Sequence, residues 1–260
     1  MKTTEEIRMA VLIDADNVPF ANIKAMLEEL AKYGTPTFKR IYGDWTKPNL
    51  AGWKKVLLEY AITPIQQYGY TTGKNCTDSA MIIDAMDILY SAKVDAFAIV
   101  SSDSDFTRLS IRLREAGMMV IGLGERKTPN PFIVSCDKFI YLEILSPTVV
   151  EDESKVKVEN EKNEKKPATP ANALQKINAE TIALIANSIA DVADDSGWAF
   201  LGEVGDRLIK KQTDFDPRNY GFRKLMLMVK SIDAFEVAVR GQKGTEIVSV
   251  REKDGVSVAS

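Results

Sequence analysis

The chain contains no histidine and only two cysteines in 260 residues. Without histidine, the base of Ser-His-Asp and Cys-His catalysis is missing, and so is the commonest zinc ligand. Cys76 and Cys136 lack CxxC spacing, which excludes a cysteine zinc site and a disulfide framework and predicts reduced, structural thiols. No apolar run approaches the roughly 18 residues of a membrane helix. The opening MKTTEEIRMAVLIDAD has no basic stretch followed by a long apolar one. A soluble, cytoplasmic protein with no membrane partner is predicted. An excess of one charge sign is lacking too: the formal net charge is -3, so any surface for a polyanion must be local. Catalytic chemistry, if present, falls to carboxylates and a hard metal.

With 45% hydrophobic residues, the chain can build one sizeable core and a smaller one. Over residues 1–147, strand-like segments (8–13, 37–42, 62–67, 96–100, 119–123 and about 139–142) alternate with helix-like ones (20–33, 47–60, 77–91, 106–116). Such alternation predicts a parallel α/β sheet with helices on both faces. Residues 148–172 carry charges of both signs, two prolines and no aromatics, and read as a flexible charged linker. Residues 173–254 regain order. An apolar helix and GWAFLGEVGDRLIKK are followed by 216–232, where Asp216 suits the N-cap and Pro217 the first helical position; two alternating strands then flank a Gly-Gln-Lys-Gly turn. Three helices and a hairpin predict a small winged helix-turn-helix domain.

In a parallel sheet, ligands sit beyond the carboxyl ends of the strands, where the strand order reverses. The first strand ends in VLIDADN and the fourth in VSSDSDF, which places Asp14, Asp16 and Asn17 opposite Ser101, Asp103 and Asp105 if the order is 3-2-1-4-5. On the 77–91 helix, Asp78 continues the stripe of Met81, Ile82, Ala85 and Met86, whereas Asp84 and Asp87 fall on the other side, expected to be solvated. Carboxylates gathered this way repel unless a cation offsets them, and Mg²⁺ or Mn²⁺ is the fitting one. Asp105 can equally cap the helix that follows. Around the cleft, Lys39, Arg40 and Trp45, then Trp53, Tyr68 and Tyr70 with Lys74, and Arg126 with Lys127 supply cations and flat side chains suited to a single-stranded nucleic acid. Between Arg207 and Lys243, nine bases face four acids, a local net of +5 that includes Arg218, Arg223 and Lys224.

The motifs VLIDADN, GKNCTDSAMIIDAMD and IVSSDSDFTRLSIRLREAGMMVIGLGE resemble the NYN domain, a PIN-like nuclease group that includes LabA-like proteins. Residues from about 174 to 250 resemble the OST-HTH or LOTUS winged-helix domain. The first resemblance implies a PIN-like fold and Mg²⁺- or Mn²⁺-dependent RNA cleavage, with Asp14, Asp78, Asp103 and Asp105 as the acidic site and Asn17 lining it. The second implies RNA binding. Together they lead us to expect a metal-dependent ribonuclease acting on single-stranded or structured RNA. The alternative is a non-catalytic RNA-binding or regulatory adaptor; under either reading, a second copy of the chain or a protein partner through the C-terminal domain stands as a candidate beside RNA. DADNV also fits the DxDx[TV] opening of haloacid-dehalogenase-type phosphatases, but the last complete strand ends in GLGER, without the further acidic pair that chemistry needs.

Overall fold

The computed structural model describes residues 6–68, 76–145, 174–240 and 247–253. Lys74, Tyr70, the linker at 148–172 and the Gly-Gln-Lys-Gly turn lie outside these residues. The first domain is a six-stranded parallel sheet in the order β3-β2-β1-β4-β5-β6. Its strands are β1 (Arg8–Asp14), β2 (Thr35–Gly43), β3 (Thr63–Gln66), β4 (Ala96–Val100), β5 (Met119–Gly124) and β6 (Lys138–Tyr141). The helices between them are α1 (Ile23–Leu30), α2 (Trp53–Glu59), α3 (Cys76–Tyr90), α4 (Thr107–Glu115) and α5 (Asn130–Ser135).

The apolar run of β1 explains its central place. Met9, Val11 and Ile13 pack in the core containing Met26, Leu30, Trp53 and Leu57, while Ala10 and Leu12 pack in the core with Met81, Ala85 and Leu113. A strand covered on both faces has no polar positions to alternate. The expected order around the reversal between β1 and β4 is the one observed, so the carboxyl ends of both strands open onto the same edge.

Several segments differ from expectation. The 47–60 helix is a 3₁₀ turn (Pro48–Leu50) and then α2, Pro48 starting the turn. Trp53, read as a stacking platform, is 2% exposed and fills the core beneath α2. The six-residue α5 is too short to show a helical period in the sequence.

The second domain comprises α6 (Ala179–Ala190), β7 (Ala199–Phe200), α7 (Leu201–Lys211), α8 (Leu225–Lys230), β8 (Phe235–Arg240) and β9 (Ile247–Glu252). Asn178 caps α6, its Oδ1 accepting from Thr181 N at 2.8 Å. The strands form an antiparallel sheet in the order β7-β9-β8, adding a third strand to the expected hairpin. The single helix expected over 216–232 is divided. Asp216 does act as an N-cap, accepting from Arg218 N at 2.9 Å, but the helix it starts is a 3₁₀ turn (Pro217–Tyr220). Gly221 ends it at φ +87°, a left-handed conformation that glycine adopts without steric cost, and α8 begins afresh after Lys224. Ile185, Ile189, Val204, Leu208, Met228 and Val250 form this domain's own core.

Candidate active site

Asp14 ends β1 and is 1% exposed. Its Oδ2 accepts from Asn17 Nδ2 at 2.5 Å and Ser101 Oγ at 2.9 Å, and its Oδ1 accepts from Asp16 N at 3.1 Å. Burial drives the Asp14 carboxyl above its ordinary range, against these hydrogen bonds, which favour the charged form. The buried Ser101 Oγ also accepts from Asp103 N at 3.1 Å, joining the ends of β1 and β4 through one hydroxyl. Asp103 Oδ1 then accepts from Asp105 N at 2.9 Å as the cap of the 3₁₀ turn Ser104–Phe106. The capping role considered for Asp105 therefore belongs to Asp103.

Asp78 lies in the first turn of α3 and is 9% exposed. It lies on the stripe with Met81 and Ala85, both fully buried. Carboxylate oxygens of Asp78, Asp103 and Asp105 lie within 4.8 Å of one another. Burial, reinforced by the charges of Asp14, Asp103, Asp105 and Asp16, pushes the Asp78 carboxyl up to about 6. Asp14 is not one of the converging three. It sits beneath them, linked to Asp103 through Ser101 and felt by Asp78 through its charge.

A cation missing from the expected site set stands at the rim: Lys47 Nζ is 3.7 Å from Asp16 Oδ2. Its signal in the sequence is its place just after the second strand, in the basic stretch that also holds Lys39 and Arg40. Those others point elsewhere. Lys39 Nζ donates to Tyr60 O at 2.5 Å, and Arg40, in mid-strand opposite Leu12, donates to Asp84. Trp45 donates its indole N–H to Ile65 O at 3.0 Å, which fixes the ring against the β3 side. Asp84, expected on a solvated face, also accepts from Tyr42 Oη. It meets these partners because α3 lies across both β1 and β2, so its covered face is wider than a single stripe. Arg126 lies over the Tyr141 ring, 5.3 Å from its centroid, beyond the end of β5. Arg223 and Lys224 are exposed just before α8, whereas Arg218 pairs with Glu29 and Asp216 far from the carboxylates in sequence and partners.

Gly124 closes β5 where a Cβ would lie 2.6 Å from Ser101 O. Ser102 Oγ accepts from Glu125 N at 2.9 Å one residue later. The ends of β1, β4 and β5 are thus tied into one floor beneath the acids.

The fold and site define a class: a PIN-like parallel α/β domain with an acidic cluster at its carboxyl edge, followed by a small winged-helix domain. The chain belongs to the NYN domain family, whose model matches residues 8–143, and the OST-HTH/LOTUS domain model matches residues 172–247. This pairing supports a nuclease domain joined to an RNA-binding domain. Among solved structures, the chain is similar to a Vibrio parahaemolyticus protein of unknown function, at 19% identity and a TM-score of 0.45, over 54% of this chain and 96% of that one. An uncharacterized Nitrosomonas europaea protein is 31% identical over 36% of this chain and 92% of its own, with a TM-score of 0.27. A fragment of a Chromobacterium violaceum protein is 36% identical over 28% of this chain and 78% of its own, with a TM-score of 0.25. No curated protein matches the chain. Among the described residues, no helix is long and apolar enough to cross a membrane.

Proposed function

We propose that the chain is a metal-dependent ribonuclease whose C-terminal domain binds the RNA it cuts. The observation that carries this reading is the convergence of Asp78, Asp103 and Asp105, with oxygens within 4.8 Å, in a NYN domain followed by an OST-HTH domain. The donor set is all hard oxygen, and burial together with the neighbouring acids raises Asp78, so the residues fit Mg²⁺ or Mn²⁺. Asp78, Asp103 and Asp105 would hold the ion, with Asp14 adding charge from below. Once bound, the cation supplies charge stabilisation at the scissile phosphate and acidifies water.

The chain's own residues do the rest. Asn17 and Ser101 fix the Asp14 carboxylate, and Ser101 in turn fixes the backbone that carries Asp103. The attacking water gives up its proton to the carboxylate cluster as its oxygen bonds to phosphorus and the P–O3′ bond breaks, the departing O3′ taking a proton from solvent. Water rather than the ribose 2′-hydroxyl is the nucleophile, so the products are a 5′-phosphate and a 3′-hydroxyl. Lys47, beside Asp16 at the rim, faces an incoming phosphate with positive charge. On the second domain, the exposed Arg223, Lys224 and Lys230 bracket α8 and give a backbone-tracking surface.

The test is to incubate end-labelled single-stranded and structured RNAs with the protein in Mg²⁺, Mn²⁺ or EDTA. Cleavage in either metal, its loss in EDTA, and its loss in Asp103→Asn are expected. RNA binding without cleavage under every condition would replace this reading with that of a regulatory adaptor.

A further inference from the structure

The segment from Gln212 to Arg218 belongs to the OST-HTH domain, yet Thr213, Asp214 and Arg218 hydrogen-bond to the NYN domain. Phe139 N, on the outer edge of β6, donates to Thr213 O at 2.8 Å. Thr213 Oγ1 donates to Ile133 O at 3.0 Å, and Tyr141 Oη donates to Asp214 Oδ2 at 2.7 Å. The Arg218 guanidinium donates to both Glu29 oxygens, at 2.8 Å each, and to both Asp216 oxygens, at 3.0 and 2.7 Å.

This seam is charged and largely closed to water. Glu29 is 4% exposed, Lys138 7% and Asp216 8%. Lys138 Nζ lies 5.7 Å from the Tyr33 ring centroid, and Lys32 Nζ reaches Glu29 at 2.6 Å. Burial pushes the Glu29 carboxyl up, but Arg218 and Lys32 outweigh it and hold it below its ordinary range. Buried charges persist only where partners replace water. Glu29 and Arg218 come from opposite ends of the chain, 189 residues apart, so the match cannot arise from local structure.

We infer that residues 212–218 dock the OST-HTH domain onto the β6 edge of the NYN domain, locked by Arg218 and Glu29, so that the domains form one body independently of the linker. Arg218 is therefore a docking residue, and the RNA-facing charge of the second domain rests on Arg223, Lys224 and Lys230.

The experiment uses the full chain with a site-specific protease sequence inserted within 150–171. After cutting, the two fragments are analysed by size-exclusion chromatography at micromolar concentration, and their dissociation constant is measured by dilution. Unsubstituted fragments are expected to co-elute. Arg218→Ala and Glu29→Gln should each weaken association on the order of 30-fold, and the double variant no more than the stronger single, because both remove one interaction. Glu29→Gln leaves the OST-HTH sequence untouched, so its effect cannot reflect misfolding of that domain. Lys93→Ala, at an exposed position before β4, should leave the association unchanged. Separation of the unsubstituted fragments would overturn the inference, as would unchanged association in Glu29→Gln and Arg218→Ala, or additive losses in the double variant.

Discussion

Replacing Asp78 by asparagine should stabilise the metal-free protein while destroying its proposed catalytic site. Asp78 is 9% exposed, and burial with four neighbouring acids moves its carboxyl from 3.8 to about 6. A difference of about 2 pK units between the folded and unfolded chain corresponds to about 3 kcal/mol at neutral pH. The sign follows from the raised value. Below 3.8, both states hold the proton and the acid costs nothing extra. As pH rises from about 4 to 6, the unfolded chain releases the proton and the folded one retains it, so the penalty grows and is complete above 6. The amide is equally buried and forfeits part of the gain, leaving about 2 kcal/mol, or a rise in thermal midpoint of about 4–8 °C for a chain of this size. Scanning calorimetry in EDTA at pH 7 and at pH 3.5 separates the effects: the variant should melt higher at pH 7 and equal to the parent at pH 3.5. Adding Mg²⁺ at pH 7 should raise the parent and narrow the gap. A lower midpoint for Asp78→Asn at pH 7, or the same difference at both pH values, would refute the account of like-charge repulsion.

Asp84→Asn should do the opposite. It breaks the tie to Arg40 and Tyr42 at a mostly covered site, and a loss of about 1–3 kcal/mol in urea unfolding is expected, with RNA cleavage falling only as α3 loosens. Replacing Arg223 and Lys224 together by alanine should weaken RNA binding without changing the metal requirement. In a salt titration, the log–log slope should drop by about 1.4, the value for two lost single-strand phosphate contacts. Gly124→Ala introduces a Cβ 2.6 Å from Ser101 O. Moving Ser101 displaces its bonds to Asp14 and Asp103, so cleavage should fall at least tenfold at saturating RNA, a loss of about 1.4 kcal/mol in the activated complex. An unchanged kcat would show that this floor tolerates movement.

The sheet and the acids at its edge were legible because their causes are local. The apolar run of β1 identifies a central strand, and carboxylates at strand exits need only the topology to bring them together. Asp78 was readable from its alignment with Met81 and Ala85. Asp84 was not, since a helical wheel gives an angle but not the breadth of what lies beneath the helix. Trp53 sits among Lys54 and Lys55, so its neighbours suggest a surface while its ring belongs to the core. Arg218 misled for a related reason. A base within a basic stretch reads as a phosphate contact, and nothing nearby announces a partner on α1. The division of 216–232 hinged on one residue, Gly221, whose left-handed backbone outweighed the helical pattern on both sides.

The two edges of the parallel sheet are guarded by different means. On one side, β3 is four residues long and carries Pro64, which offers no N–H to a further strand. On the other, β6 has no proline, and the N–H of Phe139 is engaged by Thr213 from the second domain. An isolated NYN domain would expose that N–H together with Glu29 and Lys138, offering a neighbouring molecule a strand to extend. The first symptom of separating the domains would then be self-association of the sheet rather than weakened grip on RNA, making the OST-HTH domain as much a guard of solubility as a nucleic-acid adaptor.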